Sequence, residues 1–154
     1  MASEPETPPD RIAFYGSRGE YGFLSNFYPA RITLADRTWP TSEHYFQGQK
    51  FAGTPHEVEV RRATTPRVAA TLGRDRRRPL RADWEMVKED VMLAALRAKF
   101  TQHPTLRARL LATGTAELVE HTANDRYWAD GGDGGLNRLG VLLMQVREEL
   151  RGEE

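Results

Sequence analysis

A chain of 154 residues has room for one domain built around one core. Hydrophobic residues make up 39% and charged residues 29%, and the formal net charge is zero, so no overall positive field draws the chain to nucleic acid or to an anionic membrane. The absence of cysteine excludes disulfides, thiolate metal sites and thiol nucleophiles, and it suits a cytoplasmic protein.

Met1 to Asp10 combine prolines with acids and lack the basic start and apolar run of a signal peptide. A disordered tail is expected over residues 1–10, followed by a single domain over 11–154. No apolar run is long enough to cross a bilayer.

Ile12 to Tyr15 reads as a short strand stopped by Gly16 and Ser17. Gly22 to Tyr28 is aromatic-rich and ends at Pro29. Arg31 to Leu34 and Arg37 to Trp39, joined across Ala35-Asp36, read as a hairpin. Pro40-Thr41-Ser42 opens a helix predicted to reach Phe51, with Thr41 as N-cap. Thr54-Pro55 and Thr65-Pro66 each place proline behind a capping residue and start two short helices. Asp83 is the expected cap of a long helix carrying Trp84, Val87, Val91, Leu96 and Phe100 on a rough stripe. Pro104 starts a further helix ending near Gly114, and Glu117 to His121 reads as a strand. Asn124 to Asn137 is a glycine-studded loop. Leu139, Leu142, Leu143, Val146 and Leu150 make the last helix amphipathic. The expected fold class is α+β, a helix-dominated single domain with a small N-terminal β-sheet.

Three segments have the residue types that chemistry needs. In Trp39 to Phe51, Glu43, Gln47 and Lys50 share a narrow helical stripe, with Glu43 in the first turn where the helix dipole favours an anion. Solvated first-turn acids are common, but the aromatics Tyr45, Phe46 and Phe51 leave little of this helix to face water. Gly48 costs roughly 1 kcal/mol in a helix interior relative to alanine, which calls for close packing or a ligand. In Asn124 to Arg138, three carboxylates, two large aromatics and four glycines make a poor core segment. The glycine N–H groups with Arg138 could cradle an anion; calcium and a plain flexible loop are the rival readings, and no EF-hand spacing is present. The run Arg74 to Arg81 suits bidentate phosphate contact beside Trp84, against the alternative of a solvated loop with Trp84 in the core. His44, His56, His103 and His121 have no metal-site spacing, and no metal or cofactor is expected. Phosphate-binding loops of the GxxxxGK[ST] and GxGxxG types and a GxSxG elbow are absent.

Taken together in order, these strings resemble the YbiA-like proteins of the NADAR family: Phe14-Tyr15, Leu24-Ser25-Asn26-Phe27, Trp39 to Gln47, Gln49-Lys50-Phe51, Gly73-Arg74, Pro79-Leu80-Arg81, Trp84-Glu85, Glu120-His121, Asn124, Asp125, Tyr127-Trp128, Asp130-Gly131-Gly132 and Asn137 to Gly140. The similarity spans about residues 12 to 151. The glycine loop looks one residue shorter than in relatives, and Asp133 stands where a histidine is expected, which bears on substrate preference.

The resemblance implies an N-glycosidase. One branch of the family hydrolyses phosphoribosylaminopyrimidine intermediates of riboflavin synthesis; another removes ADP-ribose from guanine bases. The chain looks closer to the first branch. A non-catalytic ADP-ribose or nucleotide-binding module is the competing class. The resemblance points to Glu43, Lys50 and Asp125 as catalytic residues. The expected substrate-binding set is Trp84, Trp128, Asn26, Arg81, Asp130, Gly131, Gly132, Asn137 and Arg138. The expected partner is a small ribosylamine or an ADP-ribosylated guanine, with no membrane and no stable nucleic-acid partner. Both substrates attach ribose to an exocyclic amino nitrogen. A neutral Lys50 could therefore form a Schiff base with the ring-opened sugar while Glu43 moves protons; the rival route activates water through Glu43 or Asp125. Trp84 and Trp128 would sandwich the base, and arginines would hold the phosphate.

Overall fold

The computed structural model describes residues 7–153. Of the expected disordered tail, residues 1–6 lie outside the described residues. Asp10 is already part of the fold, because its carbonyl accepts from the Glu117 N–H at 2.8 Å.

Strand β1 (Arg11–Phe14) is followed by a 3-10 turn at Gly22–Leu24, β2 (Ile32–Leu34) and β3 (Arg37–Trp39). Helices α1 (Ser42–Gln49), α2 (Pro55–Arg61), α3 (Pro66–Gly73), α4 (Trp84–Gln102) and α5 (Pro104–Ala112) come next. Strand β4 (Glu117–Glu120) and helix α6 (Arg138–Gly152) complete the chain. The mixed, helix-dominated class is as expected. The strands form two separate pairs: β2 and β3 are an antiparallel hairpin, whereas β1 pairs in parallel with β4. The second pair joins the two ends of the chain and could not be read from local pattern.

Local chemistry explains most boundaries. Ala35 and Asp36 turn the hairpin with φ of +53° and +61°, the left-handed pair that matches strand twist in a two-residue loop. The Thr41 hydroxyl accepts from the His44 N–H at 3.1 Å and the Thr65 hydroxyl from the Val68 N–H at 3.1 Å, as N-caps do. Two expected caps go elsewhere. Thr54 donates its hydroxyl to the Phe51 carbonyl, and Asp83 binds the Arg81 guanidinium instead of capping α4.

The main core lies between α4, α6 and the parallel strand pair. It joins Leu139, Leu142, Leu143, Val146 and Leu150 of α6 to Met92, Leu96 and Phe100 of α4 and to Ile12, Phe14 and Leu118. Each such side chain contributes about 1.5–3 kcal/mol on burial, so packing holds α6 far more than its intrinsic propensity does. Gly140 allows α6 to lie directly on β4, since a Cβ there would collide with the Leu118 carbonyl. The hairpin covers α4 through Ile32, Trp39, Ala95 and Ala98. Helix α1 is enclosed by α2, α3 and α4. Gly48 is explained by packing: an added Cβ would meet Trp39 Cζ3 at 2.7 Å. No helix among the described residues is long and apolar enough to cross a membrane.

Candidate active site

The stripe expected on α1 is present. Glu43 lies in the first turn, 6% exposed, and its backbone N–H donates to the Asn26 carbonyl at 3.2 Å. One turn on, Gln47 Nε2 donates to Glu43 Oε1 at 2.8 Å. Burial pushes the Glu43 carboxyl above its usual range and Asp125 adds to this, while Gln47, Arg74 and Lys50 oppose it.

Lys50 closes the helix. Its Nζ donates to the Gly73 carbonyl at 3.2 Å and stands 5.8 Å from the Phe46 ring centroid and 5.9 Å from that of Trp84. Burial pulls its ammonium group down to about 8; Glu43 resists, and Arg74 and Arg76 push further down. Desolvation, the largest of these causes, outweighs the opposing charge of Glu43. Gly73 is itself pressed onto α1, because a Cβ there would collide with the Gln47 amide. That contact holds the end of α3, and with it Arg74, against the Glu43–Lys50 stripe.

The loop after β4 supplies the facing wall. Asp125 Oδ1 accepts from the N–H groups of Tyr127 and Trp128, both at 2.9 Å. Asp130, 7% exposed, accepts from His121 at 2.5 Å, from the Thr122 N–H at 3.1 Å and from the Gly132 N–H at 2.9 Å. Gly131 donates its N–H to the Asp125 carbonyl, and its φ of +63° suits glycine. The N–H groups of Gly131 and Gly132, expected in a phosphate cradle, and the carboxylate of Asp130 make hydrogen bonds within the loop and brace it.

Several other expected substrate contacts also belong to the scaffold. Asn137 accepts from the Glu120 N–H at 3.0 Å and donates to the Leu118 carbonyl at 2.9 Å, clipping β4 to the start of α6. Asn26 accepts from the Ser42 hydroxyl at 2.8 Å and faces Met92 Sδ, which seats the first turn of α1. Arg138 makes a two-point ion pair with Glu89, and Arg81 does the same with Asp83. Both arginines are thus held by a carboxylate neighbour. Trp84 is 5% exposed in the main core, as its core alternative expected. Trp84 and Trp128 both pack on Phe46, at 5.2 and 5.3 Å between ring centroids, so the expected sandwich is replaced by a three-ring cluster with Trp128 only partly buried.

Glu120 is not among the expected site residues, and Arg74 is expected only as one arginine of the run Arg74 to Arg81. Glu120 ends β4, and its charge is coupled to Glu43 and Asp125. The signal was available: alternation along Glu117-Leu118-Val119-Glu120 puts an acid in phase with buried Leu118. Arg74 acts on Glu43, Lys50 and Glu120 alike and makes no ion pair among the described residues. Nothing in the run Arg74 to Arg81 distinguished it from its neighbours. No group of three or more His, Asp or Glu side chains among the described residues is placed to hold a metal ion. His44 is structural, bridging Thr41 at 2.8 Å and the Ala63 carbonyl at 3.0 Å.

Comparison with known proteins gives this geometry a family. The NADAR domain model matches residues 13–151. N-glycosidase YbiA of Escherichia coli (strain K12) is 59% identical over 140 residues, covering 90% of this chain and 88% of that one. Riboflavin biosynthesis protein VVA0006 of Vibrio vulnificus (strain YJ016) is 46% identical over 91% of this chain, which spans 38% of that longer protein. The NMR structure of E. coli YbiA superposes with a TM-score of 0.86 at 57% identity, covering 94% of this chain and 87% of that one. With the family model matching residues 13–151 and a relative of such identity sharing its fold, the chain belongs to the NADAR family.

Proposed function

We propose that this N-glycosidase hydrolyses the bond between C1 of a ribose 5-phosphate and the exocyclic amino nitrogen of an aminopyrimidine. The observation that carries the reading is the placement of Lys50: it closes the α1 stripe that Glu43 opens, its Nζ standing 5.8 Å from the Phe46 ring centroid and 5.9 Å from that of Trp84, and burial holds the amine down to about 8.

The ring-opened form of such a ribosylamine is an imine at C1. Neutral Lys50 adds to that carbon, the C1–amine bond breaks, and the sugar is left as an imine on Nζ. Water then adds to C1, the C1–Nζ bond breaks, and Lys50 is restored as the sugar aldehyde leaves. Glu43 takes up and returns the protons of the lysine and water additions. Trp128 offers a partly exposed indole to the flat base. Arg74 takes the phosphate role first expected of Arg81 and Arg138, because its guanidinium has no ion-pair partner among the described residues. The riboflavin-related name of the Vibrio relative supports the aminopyrimidine as leaving group.

The test is a parallel incubation of purified protein with a synthetic phosphoribosylaminopyrimidine and with an ADP-ribosylated guanine oligonucleotide. Release of ribose 5-phosphate from the first, well ahead of any release from the second, is the expected outcome. Release only from the oligonucleotide would reassign the substrate, and release from neither would contradict the reading.

A further inference from the structure

Strand β4 ends on a carboxylate whose backbone is pinned and whose side chain is not. Glu120 lies beside Phe14 in the parallel pair, at the carboxyl end of the strand. Its N–H donates to Asn137 Oδ1 at 3.0 Å and its carbonyl accepts from the Asp130 N–H at 2.9 Å. Its carboxylate receives no hydrogen bond from any described residue. The other two acids of the site differ: Glu43 receives the Gln47 amide at 2.8 Å, and Asp125 receives two backbone N–H groups at 2.9 Å.

Three carboxylates from α1, β4 and the following loop cannot all stay ionised cheaply; burial pushes both Glu43 and Glu120 toward the protonated form, and among the described residues Glu120 alone has no protein donor to hold it ionised. We propose that Glu120 is the acid that protonates the departing amino nitrogen. This rests on the reaction proposed above, and it holds whether Lys50 or water attacks C1. In both routes the electron pair of the breaking C1–N bond stays on nitrogen. The Glu120 proton moves to that nitrogen, leaving a carboxylate, and the incoming water supplies the proton that restores it. The sum is one water added across one C–N bond. Electrostatics agree: burial, with Glu43, Asp125 and Asp130, holds the Glu120 carboxyl up to about 7 against the opposing charge of Arg74.

The experiment is a pH–rate profile of the wild type and of Glu120→Gln on the phosphoribosylaminopyrimidine, with a carboxyl-carbon NMR titration of the labelled wild type. The wild-type kcat/KM should form a narrow bell, because the active form needs Lys50 neutral and Glu120 protonated at once; with Lys50 held down to about 8 and Glu120 up to about 7, the maximum lies between the two and the fall at high pH reports loss of the Glu120 proton. Glu120→Gln should lose at least about a hundredfold, the usual scale for a general acid, and its profile should lose the high-pH fall. A Glu120→Gln profile with the fall intact, or a loss below about tenfold, would overturn the assignment. If that variant does not fold, the titration decides alone: a Glu120 carboxyl already fully ionised at pH 6 also overturns it. Wild-type protein inert toward the amine removes the parent reading, and this assignment with it; an active wild type with an unchanged variant profile removes only the role of Glu120.

Discussion

Lys50 and Lys99 are both withdrawn from bulk water, and they are surrounded in opposite ways. Lys99 is fully buried on α4, donates to the Ser25 carbonyl at 2.9 Å and lies 5.2 Å from the Phe100 ring centroid. Burial alone pulls it down to about 7. Lys50 is less deeply buried and less depressed, at about 8, yet Glu43, Arg74 and Arg76 all act on it. Low basicity therefore does not mark a nucleophile. A lysine can serve as one when it is also reachable and has a neighbouring acid to move protons, and of these two Lys50 alone meets both conditions of the proposed reaction.

The largest expected effect sharpens that contrast at the acid. Glu43→Gln should keep the fold, because the amide can stay beside Gln47, and should lose at least about a hundredfold in turnover. Circular dichroism and a melting curve would check the fold, and near-normal turnover would break the assignment of Glu43.

The smaller effect lies in stability and concerns Lys99. Its folded pKa is below its unfolded one, so between about 7 and 10 the unfolded chain binds more protons than the native state. Native stability should therefore rise with pH across that window, by at most about 1.4 kcal/mol per pH unit from this residue. Lys99→Met should flatten the rise and keep most of the turnover. Denaturant melts at pH 7 and 9.5 would measure it. A slope unchanged in the variant would show that Lys99 is not the source.

How much of this was legible depended on range. The hairpin, the capped helices and the Glu43–Gln47–Lys50 stripe follow from local rules, since turn residues, caps and a 3.6-residue period lie within a few positions of one another. The pairing of β1 with β4 does not, because it joins residues more than a hundred positions apart. The same limit explains the scaffold assignments. Asn137, Arg138 and Asn26 are the right types to bind a phosphorylated sugar, but Leu118, Glu89 and Ser42 claim them first. Glu120 was legible in principle from strand alternation; Arg74 required the contact of Gly73 with Gln47.

The central claim is that Lys50, and not Lys99, carries the sugar during turnover. Borohydride added while the enzyme turns over a phosphoribosylaminopyrimidine should reduce the imine and leave a ribose 5-phosphate adduct. Peptide mass mapping should place that adduct on Lys50 alone. Lys50→Arg should abolish both adduct and turnover, because a guanidinium keeps the charge but cannot form the imine. An active enzyme that yields no adduct, with a Lys50→Arg variant that still turns over, would contradict the account and leave attack by water, assisted by Glu43, in its place.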